Sequence, residues 1–287
     1  MDASLRIIDD KNQIVAEGPV WDDRRGLLYT IDILGRTVRT TDLDTLEHTE
    51  VRYDQDIGCI VLREDGGLLA AMTDGIYEIF SDGSKKLFCR AENMKGRRFN
   101  DGKVGPDGRF YVGTTDNSHE GALYRVDTDG TVTEILDHVG CSNGIAWTAD
   151  ASTMYFVDSP DRCIEAFDFD VRTGEISGRR KVFDAFFPDG VFDGMTIDSE
   201  DMLWAASWGA HHAYRIDPVN NKVLTEIELP AEKVSCCAFA GSDLKTLVIT
   251  TASKDNDLTA MPDAGKTFAL QCEVAGMPQK RFAADIL

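Results

Sequence analysis

Six copies of a short apolar run, a polar turn ahead of each, and the lack of any sustained helical period predict an all-β chain folded as a six-bladed β-propeller. The runs occupy residues 27–31, 68–72, 110–113, 154–157, 202–206 and 247–250. Anchored on Leu28, Leu69, Phe110, Met154, Leu203 and Leu247, they recur at intervals of 41, 41, 44, 49 and 44 residues. One four-stranded propeller blade takes roughly 40–50 residues, so the period is that of a blade. A β-sandwich has similar strand spacing, but six copies in one phase favour the propeller.

Each copy has the same order of elements. A first strand runs into a tight turn rich in Asp and Gly, at residues 22–26, 64–67, 105–108, 148–151, 198–201 and 241–243. Such residues bond to their own backbone or accept left-handed torsions, which favours hairpins. The anchor run is the second strand. A variable loop follows, then a third strand, as at 76–79, 123–126 and 213–216. Another turn, such as Ser81-Asp82-Gly83 or Thr128-Asp129-Gly130, leads to a fourth. Two further strands are expected outside the repeats, at 5–8 and within 267–274. Propellers commonly close by combining strands from both ends in one blade, so residues 1–287 are expected to form a single domain without a linker.

Composition narrows the function. The 287 residues are 43% apolar and 28% charged, a globular profile. Fifty acidic against thirty basic residues leave a net charge of −20, which repels nucleic-acid phosphates and anionic lipid. Neither nucleic acid nor membrane is expected as a partner, and no obligatory protein partner is indicated. No apolar run approaches the roughly 18–20 residues of a membrane helix. Residues 1–10 lack a basic stretch followed by an apolar one, so no signal peptide is expected. The seven cysteines are odd in number and never spaced CxxC. They read as core thiols of a cytoplasmic protein rather than a disulfide framework or a zinc-thiolate site. Gly-x-Gly patterns lie in β turns, and no Gly-x-Ser-x-Gly elbow exists, so neither dinucleotide binding nor a serine nucleophile is indicated.

The first strand of each blade lines a propeller's central channel. Counting back ten or eleven residues from each anchor gives Glu17, Gly58, Asn100, Asn143, Asp193 and Cys236. Four are oxygen donors, and Gly follows each directly or after one residue. Two carboxylates and two amides converging at an axis are costly to bury unless they meet a cation or each other. The all-oxygen set suits one hard divalent ion such as Ca²⁺, Mg²⁺ or Mn²⁺. Zinc on oxygen ligands remains open. Asn-Gly and Asp-Gly are also common hairpin signals; the equivalent phase in four of six copies favours a metal site.

The strings Glu17-Gly18-Pro19-Val20-Trp21, Arg98-Phe99-Asn100-Asp101-Gly102-Lys103, Ser142-Asn143-Gly144-Ile145-Ala146-Trp147 and Asp193-Gly194-Met195-Thr196-Ile197-Asp198 resemble the gluconolactonase / senescence marker protein / luciferin-regenerating enzyme family. The resemblance extends over essentially the whole chain, including Ile216-Asp217-Pro218 and Ser235-Cys236-Cys237. It implies a six-bladed propeller with one divalent cation at its mouth, Ca²⁺ first among the candidates, and hydrolysis of a sugar lactone. It implies Glu17, Asn143 and Asp193 as metal ligands, Asp193 as catalytic base, and Arg98 and Asn100 as substrate contacts. Asp101 is expected to support the substrate side of the site. Ser118 stands where animal members carry an acidic substrate contact, and Trp208-Gly209-Ala210-His211-His212 departs from the usual Gly-Gly pair. Polyol recognition is therefore expected to differ.

The expected chemistry is attack of a metal-activated water on the lactone carbonyl. Asp193 takes the proton or remains a ligand only, and Arg98 stabilises developing negative charge. Rim loops at 32, 73–74, 116–120, 158–160, 208–212 and 253–263 are expected to decide the substrate. Trp208 either stacks on a sugar ring or packs at a blade edge, and His211 and His212 are either proton carriers or solvated. An organophosphate hydrolase and a non-catalytic calcium-binding propeller are the competing readings of the same residues.

Overall fold

The computed structural model describes residues 5–116 and 118–283. Asn117, inside the rim loop expected at 116–120, lies outside the described residues, as do 1–4 of the N-terminal stretch and 284–287.

The chain is all-β. Among the described residues the one helical element is a short 3-10 turn, Ser159–Asp161. The first sheet holds β2 (Ala16–Asp22), β3 (Leu27–Asp32), β4 (Thr37–Asp42) and β5 (His48–Arg52). The second holds β6 (Ile57–Leu62), β7 (Leu68–Met72), β8 (Ile76–Ile79) and β9 (Lys85–Cys89). The third holds β10 (Arg98–Val104), β11 (Phe110–Thr115), β12 (Gly121–Val126) and β13 (Val132–Val139). The fourth holds β14 (Ser142–Trp147), β15 (Thr153–Asp158), β16 (Cys163–Asp170) and β17 (Glu175–Asp184). The fifth holds β18 (Val191–Ile197), β19 (Leu203–Trp208), β20 (His212–Asp217) and β21 (Lys222–Glu228). The sixth joins β22 (Lys233–Ala240), β23 (Thr246–Ala252) and β24 (Thr267–Gln271) to β1 (Arg6–Asp9), which pairs antiparallel with β24. A single bridge, Trp208 to Lys233, connects the fifth and sixth sheets. Every anchor run is the second strand of its sheet.

The strands differ by depth. β6 (IGCIVL) is buried along its whole length, whereas outer β21 (KVLTEIE) alternates exposed and partly buried residues. That is the pattern of an inner strand covered on both faces and an edge strand guarded by charge. Consecutive first strands contact one another in a closed cycle, β2 to β6, β10, β14, β18, β22 and back to β2. One apolar cluster lies between each pair of neighbouring sheets, such as Tyr111, Trp147 and Phe169 between the third and fourth. Burial of those facing surfaces is the main stabilising term.

Each first strand slips register once against its second strand: at Glu17/Val20, Ile57/Cys59, Phe99/Gly102, Ser142/Ile145, Phe192/Met195 and Val234/Cys236. A β-bulge bends its strand and re-aims a side chain. Here it recurs at one level around the axis. At Gly144 and Gly194 an added side chain would clash. A Cβ on Gly144 would lie 2.3 Å from the Met195 Cβ, and one on Gly194 would lie 2.3 Å from the Cys236 Sγ.

After β24 the chain crosses the end of the axis away from the bulged residues. Ser199 donates to the Ala275 carbonyl (2.9 Å), Arg281 to Asp22 (2.7 Å), and Phe282 to the Leu62 carbonyl (2.8 Å). No helix of the described residues is long and apolar enough to cross a membrane.

Candidate functional site

The bulges bring Glu17, Asn100, Asn143 and Asp193 to one open cavity of about 420 Å³ at the mouth of the ring, together with Arg98. Glu17 and Asp193 are 5% and 7% exposed, and both amides are buried. Asn100 and Asn143 belong to one directed chain of hydrogen bonds. Arg98 Nη1 donates to Asn100 Oδ1 (2.7 Å), and Asn100 Nδ2 donates to Asn143 Oδ1 (3.0 Å) and to the Ser142 carbonyl (2.8 Å). Asn143 Nδ2 donates to Ser159 Oγ (2.7 Å), which donates to the Phe192 carbonyl (2.6 Å) beside Asp193. The chain fixes which way each amide faces, with Asn143 Oδ1 toward Asn100 and its Nδ2 toward Ser159.

Burial dominates the electrostatics. It pushes the Glu17 carboxyl up to about 8, with Asp101 adding to the rise. Burial also holds Asp193 well above the usual carboxylate range, reinforced by Glu17 and Asp101. The Arg98 guanidinium is pulled down by burial. Two anions forced together out of water favour any arrangement that adds positive charge. With oxygen from Glu17, Asp193 and Asn143 and no thiolate or imidazole among these three, the donor set fits a hard divalent cation.

Asp101 is placed differently. It is buried on the same bulge as Asn100 but lines a second cavity of about 150 Å³ deeper along the axis, with Lys103, Cys59 and Cys236. Burial raises its carboxyl, opposed by Lys103. The Lys103 ammonium donates to the Met195 carbonyl (2.7 Å). Gly58 and Cys236, at the equivalent level, bring no oxygen donor to the mouth. All seven cysteines are free, and Cys141, the one partly exposed, lines the mouth 3.7 Å from both Asn100 Nδ2 and Asn143 Nδ2.

The rim combines residues that the repeat phase does not reveal. Ser159, Ile33, Leu34, Val191 and Lys254 line the mouth, and so does Trp208. The signal for Ser159 was the Asp158-Ser159-Pro160 loop, but its role in holding Asn143 requires the fold. His211 and His212 do not line the cavity; the His212 ring stacks on Tyr214, with centroids 5.5 Å apart. Ser118 donates its N–H to Asp116 Oδ1 (2.8 Å). Beside the rim, His119, Asp158 and Asp161 offer ligand atoms within 4.8 Å of one another. Asp158 is already engaged there, accepting from the N–H groups of Gly140 (2.9 Å) and Cys141 (2.7 Å). It thereby braces the chain leading to Asn143.

Comparison with known proteins finds relatives that span the whole chain. YvrE of Bacillus subtilis, which carries the name of a sugar lactone lactonase, is 35% identical over the full length of both chains. Regucalcin of Danio rerio is 36% identical over 95% of each chain. The crystal structure of a regucalcin from Agrobacterium tumefaciens, titled a calcium-binding protein, superposes with a TM-score of 0.90 at 28% identity, covering 98% of this chain and 97% of that one. Residues 15–253 match the family described as the SMP-30/Gluconolactonase/LRE-like region, and the chain belongs to that family.

Proposed function

We propose that the protein is a metal-dependent hydrolase of a sugar lactone, a single six-bladed propeller domain acting in a reducing cytoplasm. The observation that carries the reading is the pairing of two buried carboxylates with an oriented amide chain on the floor of an open cavity. Glu17, Asn143 and Asp193 would hold one divalent cation, Ca²⁺ before Mg²⁺, Mn²⁺ or Zn²⁺. When bound, the cation supplies Lewis-acid polarisation of the lactone carbonyl and lowers the pKa of water. Arg98 and Asn100 bind and orient the substrate oxygens on one side, and the guanidinium stabilises negative charge as it develops. Asp193 Oδ holds the proton removed from the attacking water and passes it to the ring oxygen as the acyl C–O bond breaks. The aldonic acid leaves through the same open mouth.

The regucalcin relatives favour a second reading, a calcium-binding protein without turnover. One experiment separates the two. The protein is stripped with chelator, reloaded with each ion, and supplied with five- and six-carbon sugar lactones while acid release is followed. Metal-restored turnover that falls at least 100-fold in Arg98→Ala, with metal affinity kept within about threefold, supports the hydrolase. Metal binding without turnover on any lactone supports the second reading.

A further inference from the structure

The mouth cavity is divided by chemistry. Arg98, Asn100 and Thr115 from the third sheet and Asn143 and Ser159 from the fourth, with Cys141 and Pro160 beside them, form a mainly polar wall. Facing it above the carboxylate floor stand Val15, Ile33 and Leu34 from the first sheet and Val191 and Trp208 from the fifth. Val15 and Ile33 belong to one buried apolar cluster, and Trp208 packs against it, so this wall is continuous. Leu34 is 37% exposed and is the part most open to an incoming molecule.

The apolar wall is held in place. The buried Asp32 carboxylate accepts from the N–H groups of Ile14 (2.9 Å), Val15 (3.1 Å) and Gly35 (2.9 Å). Ile33 donates its N–H to the Val15 carbonyl (3.0 Å). Lys254 is the one charged lining residue on this side above the floor. It is exposed at the rim, and its ammonium lies 3.8 Å from Asp255 in solvent.

A lactone whose carbonyl lies over Glu17 and Asp193, with its ring hydroxyls toward Arg98 and Asn100, turns its remaining carbons to the apolar wall. A hydroxymethyl group against the Val15, Ile33, Leu34 and Val191 side chains loses water with no side-chain donor or acceptor there to replace it. A methyl group there buries apolar area without that loss. Resting on the lactone-hydrolase reading above, we propose that the site selects 6-deoxyaldonolactones over their fully hydroxylated counterparts, with Leu34 and Trp208 as the specificity-determining contacts.

Matched pairs test this. The metal-loaded protein is given 6-deoxygalactono-1,4-lactone against galactono-1,4-lactone, and 6-deoxymannono-1,4-lactone against mannono-1,4-lactone. Calorimetric titration with the corresponding unreactive lactams gives binding free of turnover. The expected result is a kcat/KM preference of about 10- to 100-fold for each deoxy member, the range an apolar pocket achieves against one added hydroxyl. The lactams should bind with the same order. Leu34→Asn, which adds a donor and an acceptor to the wall, should shrink the preference at least fivefold. Equal turnover within a pair, or preference for the hydroxylated member, overturns the inference and leaves the lactonase reading standing. Preference for the analogue with a carboxylate at the same carbon also overturns it, assigning that carbon to Lys254. No turnover of any lactone by folded, metal-loaded protein overturns both.

Discussion

Glu17 shows how much the site asks of single residues. Its carboxyl is raised to about 8 mainly because burial disfavours the anion, and Asp101 and Asp193 share that environment. In the unfolded chain the same group titrates near the ordinary value of 4.5. A carboxyl raised on folding contributes stability that is fully present below the unfolded value and is lost as pH rises through the folded one. The metal-free protein is therefore expected to lose melting temperature between pH 5 and pH 8.5, and Glu17→Gln should flatten that slope. A divalent ion reverses the sign by favouring the anion. Calcium affinity should rise with pH through about 8, because below that value binding must displace a proton from Glu17. Calorimetry across buffers of different ionisation enthalpy measures the protons released per ion. Proton release of zero at pH 6.5 would show that neither Glu17 nor Asp193 is a ligand.

At the scale of the strand, the site is a property of six aligned bulges. The amino-acid pattern exposed the repeat because the second strands are mostly apolar, as in β7 (LLAAM) and β15 (TMYFVD). The turns were legible from their Asp and Gly. The phase of Glu17, Asn100, Asn143 and Asp193 was legible because each stands ten or eleven residues before an anchor. The bulge itself was not, since no residue type compels a register slip; only the Gly beside each donor hinted at it. Nor could sequence separate Asn100, facing the mouth, from Asp101, facing the inner cavity, because both sit on a strand where the bulge breaks simple alternation. The rim was harder still, since Leu34, Trp208 and Lys254 meet only through the ring. Gly144→Ala tests the element directly. Its Cβ would be 2.3 Å from the Met195 Cβ and 2.8 Å from the Met195 N, so backbone must move. The variant should lose about 1–3 kcal/mol in urea denaturation and bind calcium at least tenfold more weakly, because Asn143 is its neighbour. Full calcium affinity in the folded variant would mean that the bulge does not set the ligand's position.

For the whole molecule, the question is what keeps a ring of sheets closed. The β1–β24 pairing locks the sixth sheet to the N-terminal strand. A second restraint is the segment after β24, which spans the end of the axis opposite the mouth. Its backbone bonds reach Ser199 in the fifth sheet's hairpin, Leu244 in the sixth's, Leu62 and Glu64 in the second's and Gly108 in the third's. Arg281 adds the first, donating to the buried Asp22 at 2.7 Å and to Asp23 at 2.6 Å. Phe282 is fully buried and meets Phe88 edge-on, with ring centroids 5.5 Å apart. One short segment therefore ties five sheets together, and each tie limits how far neighbouring sheets can separate. Phe282→Ala should cost about 3–5 kcal/mol in equilibrium denaturation, the range for emptying a buried aromatic site. Calcium affinity at native conditions should stay within about twofold, since the proposed metal ligands lie toward the other end of the axis and the ring is still closed by β1. A cost below about 1 kcal/mol would show that the segment merely lies on a ring that β1 and β24 already hold. A parallel loss of calcium binding would show instead that the two ends of the axis are mechanically coupled through the first strands.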